Sequence, residues 1–304
     1  MFEVRSSKKE PFASSFLLRT SNYRQILREL TERFSIVGIA SAAAEAAWLL
    51  SEATGLSRTE LYLQEQPLEA LVLRHLEMQV AQRLSGVPLQ YVLGTTDFCG
   101  HRLSVAPGVF IPRPETEILA ERAIAALRAR RMPGRAPLRV LELGTGTGAL
   151  SVAIAAGVPA CVVAAVELSW NALHVAAANL RAHSLSQRVM LCQGDWTGAV
   201  RGRFDLIVSN PPYIPTAITE QLLRQQLVDP RESLDGGPDG LVFYERLLEE
   251  APRLLSSGGA LGVECAEEQA AQLQQRFRRC SWARDVVSFS DLAGRPRGVW
   301  VETT

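Results

Sequence analysis

Asp205-Leu206-Ile207-Val208-Ser209-Asn210-Pro211-Pro212-Tyr213-Ile214-Pro215 changes character halfway along. The first half is a short apolar run with β-branched residues, the pattern of a buried strand. The second half cannot continue it. Pro211 and Pro212 carry no N–H for a sheet ladder, and each forces the residue before it away from helix. Asn210 therefore stands at the C-terminal end of a strand, the place where open α/β sheets bind their ligands.

Beyond the break, the two prolines stiffen the turn and leave carbonyl oxygens without local partners. Asn210 adds a side-chain acceptor and Tyr213 a flat ring. The set suits a planar NH2 group. The Asn210 side-chain carbonyl and the Pro211 main-chain carbonyl can accept its two hydrogens, and the Tyr213 ring can stack on its plane. The tetrapeptide Asn210-Pro211-Pro212-Tyr213 resembles the signature of methyltransferases that act on amide or exocyclic amino nitrogens.

Glu142-Leu143-Gly144-Thr145-Gly146-Thr147-Gly148-Ala149 also follows a strand and opens a helix. Its glycines let the backbone pass close to a ligand. Gly144, Gly146 and Ala149 fit the dinucleotide pattern too, so a nicotinamide oxidoreductase is one reading of this loop alone. Glu167 ends the next strand, where a carboxylate can take both hydroxyls of a ribose. Asp195-Trp196 ends the third, with the indole placed to lie against an adenine and Asp195 near its exocyclic amine. Three strand ends for a nucleoside and a fourth for an NH2 group make a methyl-transfer site. Neither an oxidoreductase nor a nucleoside-binding regulator without chemistry explains Asn210 to Tyr213.

The rest of the chain is ordered around these strands. With 304 residues there is room for two domains. Residues 1–21 read as an N-terminal extension: the apolar part of Phe12 to Leu18 is short and broken by Ser14 and Ser15, unlike a signal peptide. Residues 22–86 have helical spacing, with Ile26, Leu27, Leu30 and Phe34 on one face, a capping-box pair at Ser57 and Glu60, and Pro67 in the first turn of a later helix. They predict a bundle of four or five helices. Residues 87–110 change period. Tyr91-Val92-Leu93-Gly94 and His101 to Val105 flank a turn at Cys99-Gly100, predicting a β-hairpin linker. From 111 to 304 strand and helix alternate, with a breaker-rich linker at Pro133-Gly134-Arg135-Ala136-Pro137 and a turn at Ser256 to Gly259. A mainly parallel, doubly covered α/β sheet is expected, closed by an antiparallel pair.

Formal net charge is zero, and the lysines are confined to Lys8 and Lys9. No global field or basic stripe draws the chain to nucleic acid or to a membrane. No apolar run approaches the roughly 20 residues of a membrane span. The five cysteines are odd in number, scattered, and without a C-x-x-C pair. They predict reduced thiols in a cytoplasmic protein and no metal site.

Taken together, the motifs resemble one family closely, the peptide chain release factor glutamine methyltransferases of the PrmC/HemK type. The likeness rests on Arg83-x-x-Gly86-x-Pro88-Leu89-Gln90-Tyr91-Val92-Leu93-Gly94, Ile111 to Glu117, Gly144 to Gly148, Ser209 to Ile214, and Glu232-Ser233-Leu234-Asp235-Gly236-Gly237-Pro238-Asp239-Gly240-Leu241. The resemblance implies a Rossmann-like, seven-stranded class I methyltransferase sheet preceded by a helical docking domain. It implies S-adenosylmethionine as donor, contacted by Gly144, Thr145, Gly146, Thr147, Gly148, Glu167, Trp196 and Asn210. Glu167 stands where the family more often has Asp. Asn210, Pro211, Pro212 and Tyr213 would hold the substrate, a glutamine in the Gly-Gly-Gln loop of bacterial-type release factors. Amino-group DNA methyltransferases share Asn-Pro-Pro-Tyr but not the full set, and would call for a basic target-recognition region.

Overall fold

The computed structural model describes residues 22–130, 136–198, 200–224 and 229–304. The expected N-terminal extension, and Pro133 to Arg135 of the expected linker, lie outside the described residues. The chain divides into two compact units at Leu93–Gly94.

The first unit is helical. In α1 (Tyr23–Ile36) the Asn22 side chain accepts the Gln25 N–H, and Ile26, Leu27, Leu30 and Phe34 form the buried stripe. Next comes α2 (Ala42–Thr54), ended by Gly55 in the left-handed conformation. The capping box of Ser57 and Glu60 opens α3 (Arg58–Leu61). Then follow α4 (Ala70–Leu84) and α5 (Leu89–Leu93). Arg83 on α4 pairs with Glu45 on α2 at 2.5 Å and reaches the Val87 carbonyl at 3.4 Å, tying the bundle to the turn after α4.

Two expectations here are corrected. Tyr91 to Leu93 lie in α5 and not in a strand, because an apolar run this short carries too few periods to separate the two states. Pro67 precedes α4 and is bridged to Asn22, so the helix starts at Ala70.

In the second unit, β1 (Thr95–Phe98) and β2 (His101–Ser104) form an antiparallel hairpin turning at Cys99-Gly100. Phe98 and Leu103 bury in the same core as α6 (Glu115–Arg130). The sheet strands are β3 (Leu138–Leu143), β4 (Cys161–Glu167), β5 (Val189–Gln193), β6 (Phe204–Ser209), β7 (Leu255–Glu264), β8 (Ala283–Ser290) and β9 (Pro296–Thr303). Between them run α7 (Ala149–Gly157), α8 (Trp170–Ala182), α9 (Thr216–Arg224), α10 (Arg231–Leu234), α11 (Val242–Leu254) and α12 (Glu267–Arg278).

Seven strands lie in the order β5-β4-β3-β6-β7-β9-β8, parallel from β5 to β7, with β9 antiparallel to both its neighbours. This is the expected class I methyltransferase sheet. One face is covered by α6, α7 and α8 through Leu119, Val152 and Leu180. The other is covered by α11 and α12 through Tyr244, Leu247, Leu273 and Phe277. The expected turn at Ser256 to Gly259 lies inside β7, where it forms a bulge: Phe204 pairs with Leu255 and Leu206 with Ala260. Gly258 there takes a φ of +68°, open to glycine at no steric cost.

The chain lays down β3, β4 and β5 outward, then returns to place β6 on the other side of β3. That reversal is the switch point at which such sheets hold ligands. Among the described residues no helix is long and apolar enough to cross a membrane. No group of three or more His, Cys, Asp and Glu among them could hold a metal ion.

The antiparallel edge is packed without slack. A Cβ on Gly298 would stand 2.1 Å from the Phe289 ring and 2.3 Å from the Val263 carbonyl. Gly298→Ala should therefore destabilise the protein by about 1–3 kcal/mol, as overpacked sites do. The midpoint of denaturant unfolding measures this, and an unchanged midpoint would show that β9 can shift freely.

Candidate active site

Parallel pairing of β3 with β6 sets Leu143 opposite Ser209, so Gly144 and Asn210 leave the sheet side by side. The Ser209 hydroxyl donates to the Leu143 carbonyl at 2.7 Å and locks the two strand ends. A cavity of about 390 Å³ opens above them. Gly144, Thr145, Gly146, Thr147, Glu167, Trp196, Asn210, Pro211, Pro212 and Tyr213 all line it. Gly148 is placed otherwise: it caps α7, and a Cβ there would lie 3.2 Å from that of Ala176 on α8.

The glycine loop is held from below. The N–H groups of Gly144 and Thr145 both donate to the Val166 carbonyl, at 2.9 and 3.1 Å. Beneath them Glu142 is almost wholly buried and accepts from Thr145 at 2.8 Å and from Ser151. Burial pushes its carboxyl up to about 7 against these two hydrogen bonds. Asn179 on α8 donates to the Thr147 carbonyl at 2.9 Å while pairing with both backbone groups of Ser104, so it ties the loop to the hairpin. Asn179 does not announce this role in the sequence, since it acts on backbone brought from elsewhere in the fold.

Glu167 is held between two segments. One carboxylate oxygen accepts the Gly146 N–H at 2.8 Å and the other the Ser169 N–H at 2.9 Å. Each oxygen keeps a further lone pair for a ligand. Trp196, at a φ of +58°, is buried against Phe243 with ring centroids 4.8 Å apart. Its indole N–H is buried without a hydrogen-bond partner. Asp195 pairs with Arg246 at 3.1 Å. Phe243 and Phe110 join the lining as apolar walls that no sequence motif marks.

On the other side of the switch point, Asn210 Nδ2 donates to Thr116 Oγ1 at 3.0 Å. The side-chain carbonyl is thereby left for the cavity. Burial pushes the Tyr213 hydroxyl up to about 12, so the ring stays neutral. The turn is clamped from behind. Gln269 donates to the Tyr213 carbonyl at 3.0 Å, Ile214 N–H donates to the Leu234 carbonyl at 2.9 Å, and Gly236 N–H donates to the Ile214 carbonyl at 2.8 Å. The glycines of the 232–241 stretch thus fit against the proline turn, and a Cβ on Gly240 would lie 2.3 Å from the Tyr213 carbonyl. Across the mouth, Arg113 stacks over Phe110 and pairs with Asp229 at 2.5 Å.

Comparison with known proteins agrees with this geometry. Residues 25–94 match the PrmC N-terminal domain and residues 123–242 the methyltransferase small domain. A release factor glutamine methyltransferase from Geobacter sulfurreducens is 42% identical over 86% of this chain and 90% of its own. One from Moorella thermoacetica is 36% identical over 90% of this chain and 96% of its own. The chain belongs to the release factor glutamine methyltransferase family.

As a member of that family it is a methyltransferase that uses S-adenosylmethionine. Among solved structures, the catalytic domain of hMettl16 in complex with MAT2A 3'UTR hairpin 6 shares the fold, with a TM-score of 0.54 and 16% identity over 74% of this chain and 81% of that one. The residues fit the donor: Cβ atoms built on Gly144 and Gly146 would meet nothing within 4 Å, so the loop leaves open space on the cavity side.

Gly240→Ala should displace the Tyr213 carbonyl and the turn before it, and slow methyl transfer by at least about 10-fold, as small misplacements of positioning groups do. Donor binding, measured by calorimetry, should change little. A transfer rate equal to that of the native protein would show that the clamp is not needed.

Proposed function

We propose that this protein methylates the side-chain amide nitrogen of the glutamine in the Gly-Gly-Gln loop of peptide chain release factors. The observation that carries the reading is the Asn210 amide. Its Nδ2 donates to Thr116, which leaves its carbonyl free to accept, and Asn210 and Pro211 both line the cavity. Two acceptors in this arrangement select a primary amide, which offers two donors on one nitrogen.

When bound, the donor supplies a methyl group on a sulfonium. Gly144 to Thr147 would border its methionine part, Glu167 its ribose and Trp196 its adenine. Asn210 and Pro211 take the two amide hydrogens. This pushes density onto a nitrogen whose lone pair is otherwise delocalised, and favours its pyramidal form. Pro212 keeps the turn rigid, and Tyr213 offers its neutral ring to the amide plane. Holding the nitrogen in line can supply up to roughly 7–11 kcal/mol by positioning alone.

The helical unit is the docking element for the release factor, which acts in the cytoplasm. Its surface exposes Ile36, Leu63, Leu71 and Met78. Five free cysteines are consistent with a reducing compartment. No direct contact with nucleic acid is part of the reading, since the net charge is zero.

Incubation of the protein with intact release factor and S-adenosylmethionine, followed by mass spectrometry, should add one methyl on that glutamine. Methylation of adenine in DNA at comparable efficiency would favour an amino-group DNA methyltransferase instead. Asn210→Ala should keep the fold, because the prolines still hold the turn, and lower the single-turnover rate on the order of 10²–10³-fold by analogy with losing one preorganised hydrogen-bonding group. A near-native rate would remove Asn210 from the chemistry.

For docking, Leu63→Asp with Leu71→Asp should raise the KM for release factor by at least about 10-fold, the size of effect of losing interface anchors. Donor affinity should stay unchanged. An unaltered KM would place the docking surface elsewhere.

A further inference from the structure

Glu264 ends β7, one residue beyond Val263, which pairs with Ser209. The β6–β7 register therefore brings it beside Asn210. It is 2% exposed, does not line the cavity, and its Oε2 makes no hydrogen bond. Its backbone is anchored by the Tyr244 hydroxyl, which donates to its carbonyl at 2.7 Å. The Thr116 hydroxyl and the Asn210 amide stand next to its carboxyl and favour its ionised form. A buried carboxylate costs several kcal/mol unless it is compensated. Nothing in the packing of β7 asks for one.

We infer that Glu264 is a positioning residue for methyl transfer: through Thr116 it holds the Asn210 amide with Nδ2 turned inward and Oδ1 turned into the cavity. The inference rests on the reading above, in which Asn210 Oδ1 accepts from the substrate amide. The two ends of an asparagine amide are nearly the same shape, so packing cannot choose between them. A threonine hydroxyl cannot choose either, because it donates and accepts. An ionised carboxylate only accepts. It draws the Thr116 hydrogen to itself and leaves Thr116 Oγ1 to accept from Asn210 Nδ2. A neutral group at 264 can donate to Thr116, reverse the chain of hydrogen bonds and present NH2 to the substrate NH2, donor against donor.

The charge on Glu264 is set by its surroundings. Burial pushes its carboxyl up to about 7, the Thr116 hydroxyl and Asn210 amide hold it down, Glu115 at the start of α6 raises it, and Arg297 on β9 lowers it. Tyr213, Tyr244 and Cys265, whose own ionisation is pushed upward by burial, stand near it as neutral groups. The required form is the ionised one, so transfer gains above that pH and loses below it.

The test is single-turnover transfer to intact release factor at saturating S-adenosylmethionine. Glu264→Gln should slow it by roughly 10-fold or more, in the range of losing one oriented hydrogen bond, with donor affinity unchanged. Thr116→Val should be slow and Thr116→Ser close to native. A packing role predicts the reverse order, since valine fills the shape of threonine and serine leaves a void. The native rate should rise with pH through about 7, and this limb should vanish in Glu264→Gln. A limb that survives there has another source and overturns the inference. So does a native rate in Glu264→Gln, or a serine variant slower than the valine one. Absence of methylation by the native protein would strike the reading above instead. In that case exchange of the Asn210 side-chain amide protons, followed by NMR in protein with isotope-labelled asparagine, still decides. Protection in the native chain that is lost in Glu264→Gln supports the inference, and equal exchange in both sinks it.

Discussion

Everything at this site depends on the parallel register of β3 with β6. Leu143 faces Ser209, and the Ser209 hydroxyl closes on the Leu143 carbonyl at 2.7 Å. A slip of one residue would turn every side chain of β6 to the opposite face of the sheet. Val208 would leave one core and Ile207 the other. The two apolar layers therefore hold the register, and the register holds the glycine loop and the proline turn at one distance from each other. Hydrophobic packing on both faces of the sheet thus determines where a donor and an acceptor of the reaction meet.

Polar groups buried at the strand ends then refine what the register sets roughly. Glu142 sits under the glycine loop and Glu264 beside the proline turn, and burial raises both. Gln269 and Asn179 hold backbone carbonyls of the turn and the loop. Such groups weaken a core unless they are satisfied, and they return that cost as orientation. They line the cavity or contact residues that do, so the local cost falls where a fixed geometry matters.

The left-handed and tightly packed positions follow the same division. Gly144 and Gly146 face open space, whereas Gly236 and Gly240 press against the turn at Pro212 and Tyr213. Two glycine-rich stretches far apart in sequence thus serve one cavity from opposite directions. One leaves room for a ligand, and the other removes room behind the residues that hold a substrate.

Much of this was legible in the residues alone. Alternating apolar strands and helices, with breaks at Asn210-Pro211 and Gly144 to Gly148, predict a parallel sheet with its site at the strand ends, because local sterics and burial periodicity decide those features. The capping box of Ser57 and Glu60, the hairpin turn at Cys99-Gly100 and the strand that ends before Asn210 stand where the residues predict. Short elements with little periodicity were not legible: α5 read as a strand, and the bulge in β7 read as a turn. Nor could periodicity show that Thr116 and Glu264 stand behind Asn210, that Gln269 holds Tyr213, or that Gly148 packs on Ala176 instead of lining the cavity. Those contacts join residues tens to more than a hundred positions apart. Only the closing of the sheet brings them together, since strand order and register, and no property of either partner alone, set the distance between them.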